Sequence, residues 1–414
     1  LCSAPLYGQP MPPDAVRGFG TRAIKAATRV PQVAQNPSAV PIYQAATFHA
    51  RDVDDYAELL GFERPGYTYS RIENPTADAM ASAFAELHGA EAGFAFGSGM
   101  GAIHAAMLSL LRAGDRVVCT RAVYGSTRAL LERVLARLGV EIVFVDPVDL
   151  AAVERALADA PTRLLYAETI SNPTIVVADL ARLAELGHRH GATVVVDNTF
   201  ASPYLCRPLE LGVDLVVESA TKWLSGHSDV VAGVVAGARD RIEAVRDIAI
   251  DTGGIAAPLS AFLVLRGMQT LHVRMDRHGA SALRLASHLE SVDAVRHVAY
   301  PGLPSHPQAG LASRRLRSGG GMLAFELDGR PAAAAFIDGL SIPPVTATLG
   351  SVVTYAVHPP TATHRQLDEA GLAAAGIPPG LVRLSVGLED VEDLLADVDA
   401  ALVGVATLGA GVGA

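Results

Sequence analysis

Ser219-Ala-Thr-Lys222-Trp-Leu-Ser-Gly-His227-Ser228 comes just after Val213-Asp-Leu-Val-Val217, a short apolar run of β-branched type. Such a run reads as a buried strand, so Lys222 falls just past a strand end, where open α/β sheets bind their ligands. An ammonium close to a core must be paired or neutralised, and a lysine of depressed pKa is the residue that forms Schiff bases with carbonyl compounds. Ser219 and Thr221 place two hydroxyls beside it, suited to an anion. Taken alone, Ser-x-Thr-Lys reads better as a polar surface loop, so the sequence on either side carries the decision.

Upstream, short apolar runs alternate with helical patterns. Strands are expected at 93–96, 116–120, 140–145, 163–167 and 193–197, and helices at 77–87, 100–111, 127–138, 150–157 and 180–190. Alternation with short connections predicts an α/β fold, a mostly parallel sheet with helices on both faces. Downstream, 259–289 is helical, 322–327 and 381–386 are strand-like with a loop segment at 343–360 between them, and a last helix starts at 391. The expected organisation is an arm over 1–72 that contacts a neighbouring subunit, a large unit over 73–258 and a smaller α+β unit over 259–414. The arm is expected to be irregular at 1–20 and 31–65, where prolines cluster and periodicity is weak.

Composition narrows the partners. Half of the 414 residues are hydrophobic, but no uninterrupted apolar run is long enough to span a bilayer, so no membrane partner is expected. A net charge of -10 without a block of Lys/Arg argues against nucleic acid. Three widely spaced cysteines, Cys2, Cys119 and Cys206, favour a reducing cytoplasm over a disulfide framework. His227, His358 and His364 show no metal-ligand spacing, and no metal is assigned.

Several strand-end residues could carry chemistry. Phe96-Gly-Ser-Gly99-Met100-Gly lies between a strand and a helix, where bare backbone N–H groups favour a phosphate. Gly97, Gly99 and Ala102 also fit a loose dinucleotide fingerprint, but Thr120-Arg121 stands where an acidic residue belongs. Asp197 ends a strand at the same sheet edge as Lys222 and suits the protonated ring nitrogen of pyridoxal phosphate, or simply caps a turn. Asn172 ends a strand in Glu168-Thr-Ile-Ser-Asn-Pro173 and suits the cofactor's phenolic oxygen, or marks an Asn-Pro turn. Tyr124 could stack on a flat ring or pack in the core. Tyr69-Ser-Arg71 suits a phosphate or an ordinary salt bridge. Arg383, inside an apolar strand, needs an anion: a substrate α-carboxylate, or one of the acids at 389–393.

Together the segments at 69–76, 97–100, 168–173, 197–200, 219–229, 265–271 and 382–390 resemble the ordered signatures of the Cys/Met-metabolism enzymes that depend on pyridoxal 5'-phosphate. This trans-sulfuration group includes methionine γ-lyase, cystathionine lyases, cystathionine γ-synthase and O-acylhomoserine sulfhydrylase. The resemblance covers about residues 17–405. It implies fold type I, the aspartate-aminotransferase-like fold with a seven-stranded sheet, as a homotetramer built from two dimers that share active sites. It also implies roles: Lys222 in the Schiff base and in proton transfer, Asp197 on the pyridinium, Tyr124 on the ring and the leaving group, and Asn172 on the ring oxygen. Gly99, Met100, Ser219 and Thr221 would hold the phosphate with Tyr69 and Arg71 of a neighbouring subunit, while Arg383 and Thr348 would meet the substrate. The tail motifs are similar to methionine γ-lyases, yet Ser126 replaces their cysteine, Thr348 replaces the usual serine, Val353 stands where a glutamate is common and Lys25 where a histidine is. The expected activity is α,γ-elimination from a sulfur amino acid, with γ-replacement as the nearer alternative and an NADP-dependent oxidoreductase as the distant one.

Overall fold

The computed structural model describes residues 17–29 and 37–411. Of the expected arm, residues 1–16 and 30–36, Cys2 among them, lie outside the described residues.

Seven strands form the larger sheet: β1 (Ala92–Phe96), β2 (Arg116–Thr120), β3 (Glu141–Val145), β4 (Leu164–Glu168), β5 (Thr193–Asp197), β6 (Leu215–Glu218) and β7 (Gly233–Gly237). Their order is β1-β7-β6-β5-β4-β2-β3. The pairings from β6 to β3 are parallel, and β7 runs antiparallel to both of its neighbours. The central strands are covered on both faces, which is why they read as continuous apolar runs rather than as alternation. Val194, Val196 and Val216 pack toward the helix Pro75–His88, while Val195, Tyr166 and Val217 pack toward the helices Gly99–Leu110 and Arg239–Thr252. Strand β7 and the helix after it were not among the residue-based expectations: Gly233-Val-Val-Ala-Gly237 is short and bounded by glycine, so it carries little strand signal.

Four antiparallel strands form the second sheet: β8 (His297–Ala299), β9 (Met322–Glu326), β10 (Tyr355–Val357) and β11 (Leu381–Ser385), in the order β10-β11-β9-β8. The helices Leu271–Glu290, Gly329–Gly339 and Val391–Gly411 enclose a separate core with this sheet around Phe325, Phe336 and Leu384. Three local expectations are corrected. The irregular stretch at 31–65 contains the helix Val53–Leu60, started by Asp52, whose side chain accepts from Asp55 N. The helical stretch at 259–289 is two helices, Pro258–Met268 and Leu271–Glu290. Strand β10 lies inside the expected loop segment at 343–360, three residues being too short for a pattern to show.

The Lys222 loop is clamped where the two cores meet. Trp223 is buried, with its ring edge-on to His278 at 4.8 Å. Buried Arg274 donates from Nη1 to Trp223 O at 2.8 Å and from Nη2 to Gly267 O at 2.7 Å. Gly226, at φ 76°, makes room for that guanidinium: a Cβ there would lie 2.2 Å from Arg274 Nη1.

Candidate active site

The strand ends of β1, β2, β4, β5 and β6 and the segment before β10 surround a cavity of about 640 Å³. This is the carboxyl edge of the parallel strands, where the sheet leaves backbone groups free to meet a ligand.

Lys222 follows β6 in a turn closed by Lys222 N to Ser219 O at 3.1 Å and Gly226 N to Lys222 O at 2.8 Å. Its Nζ donates to Thr348 Oγ1 at 3.1 Å. Burial, and then the charge of Arg383, bring its pKa down to about 8. The segment carrying Thr348 can cross so closely because of Gly350, at φ 77°, where a Cβ would sit 2.7 Å from Trp223 N.

Asp197 ends β5, buried, and accepts at Oδ1 from Thr199 N at 2.8 Å. Burial pushes its pKa up to about 6. Glu168 is its register partner on β4. Glu168 Oε1 accepts from Tyr124 N at 2.6 Å and Oε2 from Asn172 N at 3.2 Å, so one carboxylate ties together two expected site residues. Burial, reinforced by the charge of Asp197, pushes Glu168 well above the usual carboxylate range. Sequence reasoning quoted Glu168 in a motif but gave it no role, although it ends a buried strand just as Asp197 does.

Arg383, on β11, is 1% exposed. It donates from Nη1 to Asn172 Oδ1 at 2.8 Å and from Nη2 to the carbonyls of Ala347 at 3.0 Å and Thr348 at 3.2 Å. Three of the alternative partners are engaged elsewhere: Glu389 accepts from Thr354 N and Oγ1, both at 2.7 Å, Asp390 pairs with Arg277 at 3.3 Å and Glu392 with Arg284 at 2.8 Å. Arg383 Nε is buried without a partner among the described residues, an open donor for an incoming anion. With its oxygen held by Arg383, the Asn172 amide offers its NH₂ to the cavity.

Gly99 begins the helix Gly99–Leu110, capped by Ser98, whose Oγ accepts from Gly101 N at 3.0 Å. A Cβ on Gly99 would lie 2.7 Å from Ser219 Cβ, so glycine is required for the helix to start against that loop. Met100, Ser219, Thr221 and the Tyr124 residue line the same cavity. The Thr221 hydroxyl is already engaged, donating to Ala232 O at 3.2 Å and accepting from Ala232 N at 3.0 Å. Tyr69 and Arg71 are not brought to this cavity by their own chain: Arg71 Nη1 donates to Ile250 O at 2.6 Å, and its guanidinium lies 5.4 Å from the Tyr69 ring centre.

These groups fit a flat phosphorylated aldehyde. An amine of lowered pKa stands ready for the aldehyde, a carboxylate for a ring nitrogen, an amide NH₂ for a ring oxygen, and a helix N-terminus for the phosphate. The glycine-rich loop therefore opens on the cavity of Lys222 and Asp197. Among the described residues no cluster of His, Cys, Asp and Glu suits a metal, and no helix is long and apolar enough to cross a membrane.

The chain is similar to known proteins over most of its length. An L-methionine gamma-lyase of Pseudomonas putida is 45% identical over 391 residues, 93% of this chain and 97% of its own length. The crystal structure of a cystathionine gamma synthase from Xanthomonas oryzae pv. oryzae superposes with a TM-score of 0.90 at 35% identity, covering 94% of this chain and 99% of that one. A putative O-acetylhomoserine (thiol)-lyase from Campylobacter jejuni, whose structure carries a pyridoxyl-lysine monophosphate, matches with a TM-score of 0.89 at 30% identity over 93% of this chain and 100% of its own. A family model described as Cys/Met metabolism PLP-dependent enzyme matches residues 20–403. With Lys222, Asp197 and the start of the helix Gly99–Leu110 on one sheet edge, the chain belongs to the Cys/Met metabolism PLP-dependent enzymes.

Proposed function

We propose that this enzyme is a carbon-sulfur lyase that carries out α,γ-elimination on a sulfur amino acid such as L-methionine or L-cystathionine. With water, the products are 2-oxobutanoate, ammonia and a thiol. The observation that carries the reading is that Lys222 and Asn172, which line one cavity, are held by Thr348 and Arg383 behind them, in a chain 45% identical to a methionine gamma-lyase.

Bound here, pyridoxal 5'-phosphate supplies the electron sink. In the proposed site, Lys222 holds it, Asp197 faces its ring nitrogen, Asn172 its ring oxygen and Tyr124 its ring face. Gly99, Met100, Ser219 and Thr221 take the phosphate. Thr221 must then exchange its bond to Ala232 or contribute through its backbone. Arg383 binds the substrate α-carboxylate, with Nε as the donor that has no protein partner. The Lys222 amine, with its pKa of about 8, would take the proton from Cα, hand that proton on and, neutral again, take one from Cβ. Tyr124 gives a proton to the sulfur as the Cγ–S bond breaks. Thr348 steadies the lysine between these transfers. Units 73–258 and 259–414 would supply the floor and the carboxylate site respectively. Tyr69, 40% exposed, and Arg71 would complete the phosphate site of a neighbouring subunit in a homotetramer.

A γ-replacement enzyme is the second reading, favoured by the likeness to a cystathionine gamma synthase structure. Assays of 2-oxobutanoate and thiol from methionine, cystathionine and O-acetylhomoserine, with and without an added thiol, separate the two. Release of 2-oxobutanoate without an acceptor supports the lyase. Turnover that requires an acceptor thiol and forms a thioether refutes it.

A further inference from the structure

Above its buried floor the cavity carries two arginines with nothing to bind. Arg133 and Arg365 both line it and both are exposed. Among the described residues neither has an ion pair or hydrogen bond. They come from different elements. Gly125, Ala129 and Arg133 recur at intervals of four and all line the cavity, so two small residues open the way and a long cation closes the row. Arg128, on the same helical segment, is already satisfied: it pairs with Glu132 at 2.9 Å and lies 4.3 Å from the Phe144 ring centre. Arg365 belongs to the segment after the short helical turn Pro359–Thr361, which packs on Gly125 so tightly that a Cβ there would lie 2.4 Å from Gln366 Nε2. Among the described residues the only acids lining the cavity are Glu168 and Asp197, both on the floor and both hydrogen-bonded to backbone N–H groups.

This inference rests on the reading of Lys222 and Arg383 given above. With the amine and α-carboxylate of the substrate taken at the floor, the far end of its side chain is the part that reaches the opening. A methyl thioether would leave both guanidinium groups idle. We propose that Arg133 and Arg365 form a second carboxylate site, so that the preferred substrates are amino acids whose γ-leaving group bears its own carboxylate.

The test compares L-ethionine with S-(2-carboxyethyl)-L-homocysteine, which differ only in that carboxylate, on the holoenzyme and on Arg133→Gln, Arg365→Gln and the double variant. The expected ratio of kcat/KM values favours the carboxylate by about tenfold in the native enzyme and falls toward one in the double variant. L-2-aminosuberate and L-2-aminoheptanoate keep the two shapes with carbon in place of sulfur and cannot eliminate. Their binding, read from cofactor absorbance, should show the same preference without turnover. Arg137→Gln, an exposed neighbour outside the cavity, is the control for general charge. A native ratio near one, a ratio unmoved in the double variant, or an equal fall in Arg137→Gln overturns the proposal. A native protein without a visible chromophore would instead overturn the reading of the floor.

Discussion

The floor and the mouth of the cavity are built on different terms. On the floor, Glu168, Asp197 and Asn172, with Arg383 behind Asn172, are all buried, and each is fixed by at least one short hydrogen bond to the protein. At the mouth, Tyr124, Arg133, Arg365 and Gln366 are exposed, and the two arginines have no protein partner. A buried polar group left unpaired costs on the order of 1–3 kcal/mol, so a change on the floor disturbs everything it is bonded to. An exposed charge costs almost nothing to alter. On the proposed reading, the floor therefore holds the reacting end of the substrate, Tyr124 reaches in from the mouth, and Arg133 and Arg365 choose among leaving groups.

The harshest way to test that division is Lys222→Ala, for which turnover should fall by at least about 10³-fold on every substrate while the fold stays intact by circular dichroism. Retained turnover would remove the floor from the chemistry. Next comes Arg383→Lys, which keeps the charge but loses the fork that serves Asn172 and two carbonyls. The expected effect is a rise in KM of about 10²-fold for all substrates alike, measured by steady-state kinetics. A rise confined to substrates with charged leaving groups would move Arg383 to the mouth.

Gly99→Ala should act on the cofactor rather than the substrate. The new Cβ meets Ser219 Cβ at 2.7 Å, so the helix start must shift and cofactor affinity should fall by about tenfold or more in a fluorescence titration. The smallest effect is on stability. Asp197 has its folded pKa raised to about 6, so the stability it contributes is full below about pH 4 and is lost as pH rises through about 6. His88, held down to about 3 by burial, acts in the opposite sense, its contribution being present above about pH 6.5 and lost in acid. Melting of the cofactor-free protein should therefore show an Asp197-dependent loss of a few °C between pH 4 and 7, absent from Asp197→Asn. An equal loss in both proteins would mean that the floor carboxylate is not strained.

Much of this was legible before the fold was known. The strands at 116–120 and 193–197 and the site motifs beyond them are local, because a strand buried on both faces must be apolar and its first polar residue marks the edge. Lys222 and Asp197 belong to that edge by position alone. Other elements were not legible: β8 and β10 have three residues each, too few for a pattern, and β7 is bounded by glycine at both ends.

What the sequence determined by itself was the kind of sheet, the set of residues at its carboxyl edge and the family they belong to, since each follows from local pattern or ordered motif. Tertiary structure alone decided which of those residues meet. It took Arg383 away from the acids six to ten residues downstream and gave it to Asn172, 211 positions back in the chain. It raised Glu168 to a central place beside Asp197, occupied the Thr221 hydroxyl with Ala232, and kept Tyr69 and Arg71 out of their own cavity. The reason is that a hydrogen bond is settled by distance and direction in space, and the packing of two cores against one loop brings together groups that are remote along the chain.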